Sequence, residues 1–373
     1  SALPLLWGRR VISVFIGGGT PSLFSPDAIA TLIGDIRARL PLEPGAEITL
    51  EANPGTFERD RFRAFREAGV TRLSIGVQSF DDARLKALGR VHDAAQARAA
   101  IRARYVAPAE PEAVASVTDT EVDGIGVRIY RPSKNNTEDG LPVFVFAHGG
   151  GFVFCDLDSH DGLCRSFANS IPAVVVSVNY RLAPEHQWPA AAEDVYAVTQ
   201  WAAANATELG GDPTKLIVGG DSAGGNLSAV TALMTRDRGG APLAAQVLLY
   251  PVLTADFTYG SYHEFRTGYY NTTAAMQWYW DQYVPNTTDR ENPYAAPLSA
   301  SVTGVAPAVL VVTGYDPMRD EALAYAEALR EADVPVTELY YGAIHGFLTM
   351  PVLDIAHRAR RDISDAVTKL LAN

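Results

Sequence analysis

Residues 220–224 place a serine where a hydrolytic nucleophile could stand. Ser222 lies between Gly220 and Gly224, directly after a run of Leu, Ile and Val that is typical of a buried strand. Small neighbours let the backbone turn sharply from strand to helix, and such a turn lifts the hydroxyl above the sheet. The turn also places that hydroxyl at a helix N-terminus, where negative charge is stabilised. The same pattern arises by chance in glycine-rich turns, so alone it leaves the role of Ser222 open.

A second glycine cluster, three glycines after His148, follows another predicted strand. Backbone without side chains can approach a substrate and direct N–H groups at it, which is what an oxyanion hole requires. In hydrolases with a serine turn of this kind, the residue after the nucleophile adds a further N–H. The predicted donors are Gly150, Gly151 and Ala223, with Gly149 as a further candidate. We expect His148 to brace the loop rather than act as a base.

A serine hydroxyl needs a base to take its proton, and the chain has seven histidines. His345 follows the last predicted strand, in a loop where a base could reach Ser222. The base in turn needs a carboxylate that fixes its tautomer and stabilises the imidazolium. Asp316, at the end of the preceding strand, is the favoured carboxylate. Asp320 and Glu321 are alternatives, but acidic residues at the start of a helix need no catalytic explanation.

From residue 126 onward, short apolar runs alternate with helical patterns. Strands are predicted at 126–132, 141–151, 172–180, 215–225, 244–252, 307–317 and 334–342, the fourth including the serine turn and a helix start. Helices are predicted at 158–170, 189–208, 319–332 and 352–371. The alternation predicts a doubly wound, mostly parallel sheet, whose ligands bind at the carboxyl ends of the strands. Each motif above falls at such an end.

Residues 1–104 form a separate β-α-β-α-β-α series, so a small parallel sheet is expected there. The predicted strands are 11–18, 46–53 and 72–79, and the predicted helices are 26–40, 56–68, 81–90 and 93–104. Residues 105–125, rich in Pro, Ala and acidic residues, are interpreted as a linker entering an extended segment. The domain boundary is therefore placed near residue 104, with the second domain at 105–373.

The charge of the chain excludes some partners. Net charge is −12, which argues against nucleic acid, since neutralising phosphates requires Lys and Arg. Residues 1–104 carry a basic excess and the remainder an acidic one, which we interpret as two segments of different origin. No run reaches about 18 apolar residues, so no membrane-spanning helix is expected. The first residues do not have the charge order of a signal peptide, so we expect a cytoplasmic protein with two reduced thiols, Cys155 and Cys164.

Residues 126–373 resemble the bacterial hormone-sensitive-lipase family of carboxylesterases, which has the α/β-hydrolase fold. The matching motifs are HGGGF (148–152), NYRLAPEHQWPAAAED (179–194), GDSAGGN (220–226), DPMRDE (316–321) and HGF (345–347). The resemblance implies that a triad of Ser222, Asp316 and His345 hydrolyses short-to-medium-chain esters through an acyl-enzyme, without a cofactor. It also implies a homodimer and a cap, here near 255–290 and dense in aromatic residues. Lactonase or amidase activity at the same site is the nearest alternative, and a non-catalytic receptor of this fold would lack a triad member.

Residues 11–101 instead resemble part of the radical-SAM enzymes related to oxygen-independent coproporphyrinogen oxidase. The matching runs are FIGGGTPSLFSP (15–26), EITLEANPGT (47–56) and residues 72–101. The chemistry of that family needs closely spaced cysteines for an iron–sulfur cluster, and residues 1–104 contain no cysteine. A radical-SAM oxidoreductase is therefore disfavoured. We expect the segment to serve as a cap or dimerisation element, so that its removal changes solubility or chain-length preference.

Overall fold

The computed structural model describes residues 10–18, 21–52, 59–76, 80, 85–86, 93–102, 111–133 and 140–372. The chain divides into two compact units, Ser1–Val106 and Ala107–Asn373. In the described residues, no helix is both long and apolar enough to cross a membrane.

The first unit contains a parallel sheet, as the sequence predicts, and its strands lie in the order β1-β2-β3. Its strands are β1 (Val11–Ile16), β2 (Leu42–Ala52) and β3 (Arg72–Ile75), and its helices are α1 (Pro26–Arg39), α2 (Arg59–Glu67) and α3 (Ala94–Arg102). Helix α1 begins at Pro26 because Ser25 caps it, its hydroxyl accepting a hydrogen bond from the Ala28 N–H. Residues 77–79 of the predicted third strand, and most of the helix predicted at 81–90, lie outside the described residues.

The second unit is built on a larger, mostly parallel sheet. Among the described residues its strand order is β11-β10-β9-β8-β6-β7-β5-β4, with antiparallel pairing only at β5–β7 and β4–β5. The strands are β4 (Ser116–Val122), β5 (Ile125–Arg131), β6 (Leu141–Ala147), β7 (Val174–Asn179), β8 (Gly211–Asp221), β9 (Ala245–Leu249), β10 (Ala308–Tyr315) and β11 (Val336–Ile344). Strand β4 lies where the sequence indicated only a linker and an extended segment.

Helices cover both faces of this sheet, which is why its central strands are almost entirely buried. The helices are α4 (Asp161–Ser170), α5 (Ala190–Ala204), α6 (Ala223–Arg238), α7 (Gly260–Glu264), α8 (Thr273–Tyr283), α9 (Arg319–Glu331) and α10 (Asp354–Leu371). The short α7 and the longer α8 fall within the predicted cap region. The predicted fold, an α/β-hydrolase sheet with a preceding small α/β segment, is confirmed.

The sheet order explains how distant residues meet. Ser222 follows β8, Asp316 follows β10 and His345 follows β11, so all three leave the same edge of neighbouring parallel strands. The glycine loop after His148 leaves the same edge from β6, which pairs with β8 on its other side. The carboxyl edge of the sheet is therefore the place where every predicted site residue is assembled.

Candidate active site

Ser222 occupies a strained turn between β8 and α6. Its φ of 56° lies in the left-handed region, which non-glycine residues rarely adopt. The turn is held by backbone bonds: the Ser222 N–H donates to the Leu249 carbonyl at 2.9 Å, and the Ser222 carbonyl accepts from Val252 at 3.2 Å. A Cβ atom on Gly220 or Gly224 would collide with the Ala147 carbonyl oxygen. The glycines predicted on sequence grounds are therefore required by close backbone approach.

A continuous hydrogen-bond chain runs from Ser222 to Asp316. Ser222 Oγ lies 2.8 Å from His345 Nε2, and His345 Nδ1 lies 2.7 Å from Asp316 Oδ2. All three side chains are buried or nearly so, Ser222 being 7% exposed and Asp316 0%. An imidazole between a hydroxyl and a carboxylate can accept the hydroxyl proton while the carboxylate stabilises the resulting charge.

Further hydrogen bonds orient the Asp316 carboxylate. Its Oδ2 also accepts from the Thr313 hydroxyl at 2.5 Å, and its Oδ1 accepts from the Met318 N–H at 3.1 Å. These two donors hold the plane of the carboxylate toward His345. Tyr250 packs edge-on against the imidazole, with ring centroids 4.9 Å apart. The sequence did not point to Thr313 or Tyr250, because neither lies in a motif.

The two alternative carboxylates, Asp320 and Glu321, bond to groups outside the Ser222–His345–Asp316 chain. Asp320 accepts from the Ser261 N–H at 2.8 Å. Glu321 is fully buried and accepts from the Leu253 N–H at 2.7 Å and the Tyr262 hydroxyl at 2.9 Å. Burial raises the pKa of Glu321 well above its ordinary value. Both acids thus attach the segment around α7 to the start of α9, and neither is bonded to His345.

The glycine loop after β6 presents backbone donors beside Ser222. Gly150 and Gly151 have φ values of 116° and 57°, which glycine adopts without strain. Among the described residues, the N–H groups of Gly150, Gly151 and Ala223 have no protein acceptor. The N–H of Gly149, by contrast, donates to Asp221 Oδ1 at 2.8 Å. The carboxylate beside the nucleophile therefore occupies the Gly149 N–H, which makes Gly150, Gly151 and Ala223 the better candidate donors.

The glycine loop packs on a buried polar cluster that consists of His148, His160, Tyr180 and the Asp221 carboxylate. His160 Nε2 lies 3.1 Å from Asp221 Oδ1, and both side chains are almost fully buried. Burial opposes ionisation of Asp221, but the His160 charge and the bonds from His160 and Gly149 outweigh it and lower the pKa. His148 bonds the Gly149 carbonyl at 2.7 Å and stacks on Tyr180, as expected for a bracing role. Burial, then the neighbouring His160, lowers the pKa of His148 to about 4.

Aromatic side chains of α8 pack against the same loop. The rings of Phe152 and Tyr283 stack with centroids 3.8 Å apart, and Phe152 itself has a φ of 66°. A Cβ on Gly151 would lie 2.6 Å from the Tyr279 ring, which therefore covers this glycine closely. Tyr283 and Trp280 are fully buried, so some of the many aromatic residues in the predicted cap region serve to pack it.

The family model described as the alpha/beta hydrolase fold matches residues 144–349, more than half of the chain. The chain belongs to this family. The carboxylic ester hydrolase LipN of Mycobacterium tuberculosis is 43% identical over 272 residues, covering 69% of this chain and 71% of the relative. The chain is therefore a hydrolase, and the predicted family is confirmed.

Solved structures agree. An ester hydrolase from the metagenome of Lake Arreo, in complex with a bipyridine phosphonate derivative, gives a TM-score of 0.73 at 34% identity, covering 84% of this chain and 97% of its own. A hyperthermophilic esterase from the archaeon Pyrobaculum calidifontis gives a TM-score of 0.71 at 37% identity, with coverages of 78% and 98%.

The first unit matches a different family. The radical SAM superfamily model matches residues 5–104. The donor set does not fit an iron–sulfur cluster, because the two cysteines of the chain, Cys155 and Cys164, both belong to the second unit, where they are buried and not joined in a disulfide. Within the described residues, no cluster of three potential metal ligands occurs either. The prediction of two reduced, packed thiols agrees with this arrangement, since both cysteines are buried and form no disulfide.

Proposed function

We propose that the protein is a carboxylesterase that hydrolyses short-to-medium-chain carboxylic esters at Ser222. The observation that carries the proposal is the hydrogen-bond chain from Ser222 through His345 to Asp316, at 2.8 and 2.7 Å. The names of the esterase relatives and the placement of unoccupied N–H groups beside the hydroxyl support it. Its substrate partner is a small-molecule ester, and the cytoplasmic location and the homodimer stay predictions.

In the acylation half, Ser222 Oγ attacks the ester carbonyl carbon and its proton passes to His345 Nε2. The carbonyl oxygen takes up the negative charge and accepts hydrogen bonds from the oxyanion hole that we assign to Gly150, Gly151 and Ala223. The carbon–oxygen bond to the alcohol then breaks, and the alcohol oxygen leaves with the proton from His345. An acyl group remains on Ser222.

In the deacylation half, water takes the place of the alcohol. His345 accepts a proton from the water as its oxygen attacks the acyl carbon, and the same N–H groups stabilise the second oxyanion. The bond to Ser222 Oγ then breaks, and Oγ regains its proton from His345. Asp316 remains ionised throughout and holds the imidazole in the required tautomer. The products are a carboxylic acid and an alcohol, and the cycle needs no cofactor.

The test uses p-nitrophenyl esters from acetate to dodecanoate with the parent protein and Ser222→Ala. We expect hydrolysis to be fastest on the shorter acyl chains and to fall by at least about 10⁴-fold in the variant. A fluorophosphonate should add one label, on the peptide that contains Ser222, in the parent alone.

The control is Ser228→Ala, because the Ser228 hydroxyl is buried in α6 and, within the described part of the chain, donates to the Gly224 carbonyl and to no other group. This variant should keep its activity. Full activity in Ser222→Ala, or a label on another residue, would overturn the proposal.

A further inference from the structure

Tyr270 has an unusual backbone conformation. Its φ is 73°, and the N–H of Asn271 donates to the carbonyl of Tyr269 at 2.9 Å. These are the marks of a γ-turn with positive φ at its central residue, which is rare and strained. A bulky aromatic residue gains nothing locally from this conformation. Such strain persists only where the surrounding structure imposes it, and it is concentrated at functional sites.

The surroundings that impose the turn belong to the start of α8. The Asn271 side-chain amide lies 3.1 Å from the sulfur of Met276, which is buried. The next residue, Thr272, caps the helix by accepting a hydrogen bond from the Ala275 N–H at 3.1 Å. The turn is thus fixed on its C-terminal side, and its backbone sets the direction in which the Tyr270 side chain leaves the chain.

The ring lies beside the proposed base. Tyr270 is 51% exposed, and a Cβ atom added to Gly346, the residue after His345, would lie 3.6 Å from its ring. Tyr250 packs on the imidazole of His345 itself. An exposed aromatic ring therefore lies against the loop that carries the proposed base.

Two more exposed tyrosines come from the neighbouring residue of the turn and from the end of β10. Tyr269 and Tyr315 stack with centroids 5.9 Å apart and planes inclined by 6°, and they are 37% and 48% exposed. Phe265 holds both from below, edge-on, at 5.1 and 6.0 Å. Because Tyr315 immediately precedes Asp316, this stack lies at the end of β10, the strand that supplies the proposed carboxylate. We call Tyr269, Tyr270 and Tyr315 the tyrosine surface.

The geometry of ester hydrolysis decides which part of a substrate would meet that surface. The carbonyl oxygen must point to the Gly150 and Gly151 N–H groups, whereas the leaving oxygen must come within hydrogen-bond reach of His345 Nε2. The alcohol portion therefore extends past His345 and Gly346. The acyl portion does not, because the acyl carbon is attached to Ser222 and the alcohol oxygen takes the histidine side.

We propose that the tyrosine surface, with Tyr270 against the residue that follows His345, is the alcohol-side subsite and selects esters whose alcohol carries a flat aromatic ring. This inference rests on the proposed esterase function. Flat rings gain from offset or edge contacts with tyrosine rings beyond the gain from apolar burial, whereas saturated rings of equal size gain only from burial. Benzyl-type esters are the substrate class that fits.

The test compares benzyl acetate with cyclohexylmethyl acetate by titrating the released acid. These esters share the acyl group, the ring size and an alkoxide-type leaving group, so their difference reports the flat ring. We expect kcat/KM to favour the benzyl ester by about 2- to 12-fold in the parent. The preference should disappear in Tyr270→Leu and persist in Tyr270→Phe. Tyr340→Leu, which alters a tyrosine of similar exposure (54%) on β11, is the matched control and should keep it.

A second measurement needs no variant. Benzyl alcohol should inhibit methyl acetate hydrolysis by the parent more strongly than cyclohexylmethanol does, by a similar factor. Equal inhibition, or an ester preference unchanged in Tyr270→Leu, would overturn the subsite while leaving the esterase intact. Absence of any hydrolysis that depends on Ser222 would instead overturn the proposed function itself.

Discussion

The two sides of Ser222 are built in different ways. On the oxyanion side, backbone N–H groups are positioned by packing: glycines under Tyr279, the Phe152–Tyr283 stack, and Asp221 holding Gly149. On the acid–base side, side chains of Asp316 and His345 are positioned by direct hydrogen bonds at strand ends. Catalysis should therefore be sensitive to side-chain shape on the oxyanion side, and to charge and hydrogen bonding on the acid–base side.

The largest effect is expected on the acid–base side. Asp316→Asn keeps the shape of the side chain but removes the charge and favours the wrong imidazole tautomer, so kcat should fall by about 10⁴-fold with little change in folding. Asp320→Asn is the matched control, since the amide oxygen can still accept from Ser261. Steady-state kinetics with thermal melting of both variants checks this. A larger loss in Asp320→Asn than in Asp316→Asn would transfer the role to the neighbouring acid.

An intermediate effect is expected from a change of shape on the oxyanion side. Gly151→Ala adds a methyl group 2.6 Å from the Tyr279 ring and should displace the donor loop. We expect kcat to fall by about 10²-fold while KM changes little. The double variant Gly151→Ala, Tyr279→Ala should recover part of the loss, because the collision is removed. Strict additivity of the two substitutions would show that the collision is not the cause.

The smallest effect concerns stability rather than chemistry. The pKa of His148 is about 4 in the folded protein, against about 6.5 when unfolded, so the unfolded chain binds more protons between these values. Stability should therefore be complete above pH 6.5 and decline as the pH falls to 4, by up to about 3 kcal/mol. Urea unfolding at pH 7 and 5 should show a smaller decline for His148→Asn than for the parent. An equal loss of stability in both proteins would show that a group other than His148 causes the pH dependence.

The chain order of Ser222, Asp316 and His345 and their positions at strand ends could be predicted, because parallel strands align their carboxyl ends whatever the loops between them. The supporting contacts could not. Thr313 on Asp316, His160 on Asp221 and the Phe152–Tyr283 stack each join segments far apart in sequence or outside any motif. The sequence could not rank Gly149 against the other candidate donors for the same reason, since only the fold reveals that its N–H donates to Asp221.

Strand β4 and the γ-turn at Tyr270 escaped prediction for a different reason. Residues 116–122 alternate polar and apolar weakly, and most of them are exposed, so the period-two signal of an edge strand is faint. At Tyr270 the positive φ is one that tyrosine rarely adopts, so local propensity does not predict it. The conformation is imposed by contacts at the start of α8, which the sequence does not reveal.

The close approach of the Ala147 carbonyl to Gly220 and Gly224 limits which substitutions the protein can accept during evolution. A backbone oxygen cannot be mutated away, so no second substitution can make room for a side chain at these two positions. In a library of all single substitutions, positions 220 and 224 should tolerate almost nothing, and no suppressor should rescue them. Position 270, exposed and outside the strands, should accept many residues and change which alcohols are released, so new specificity can evolve there without disturbing the nucleophile.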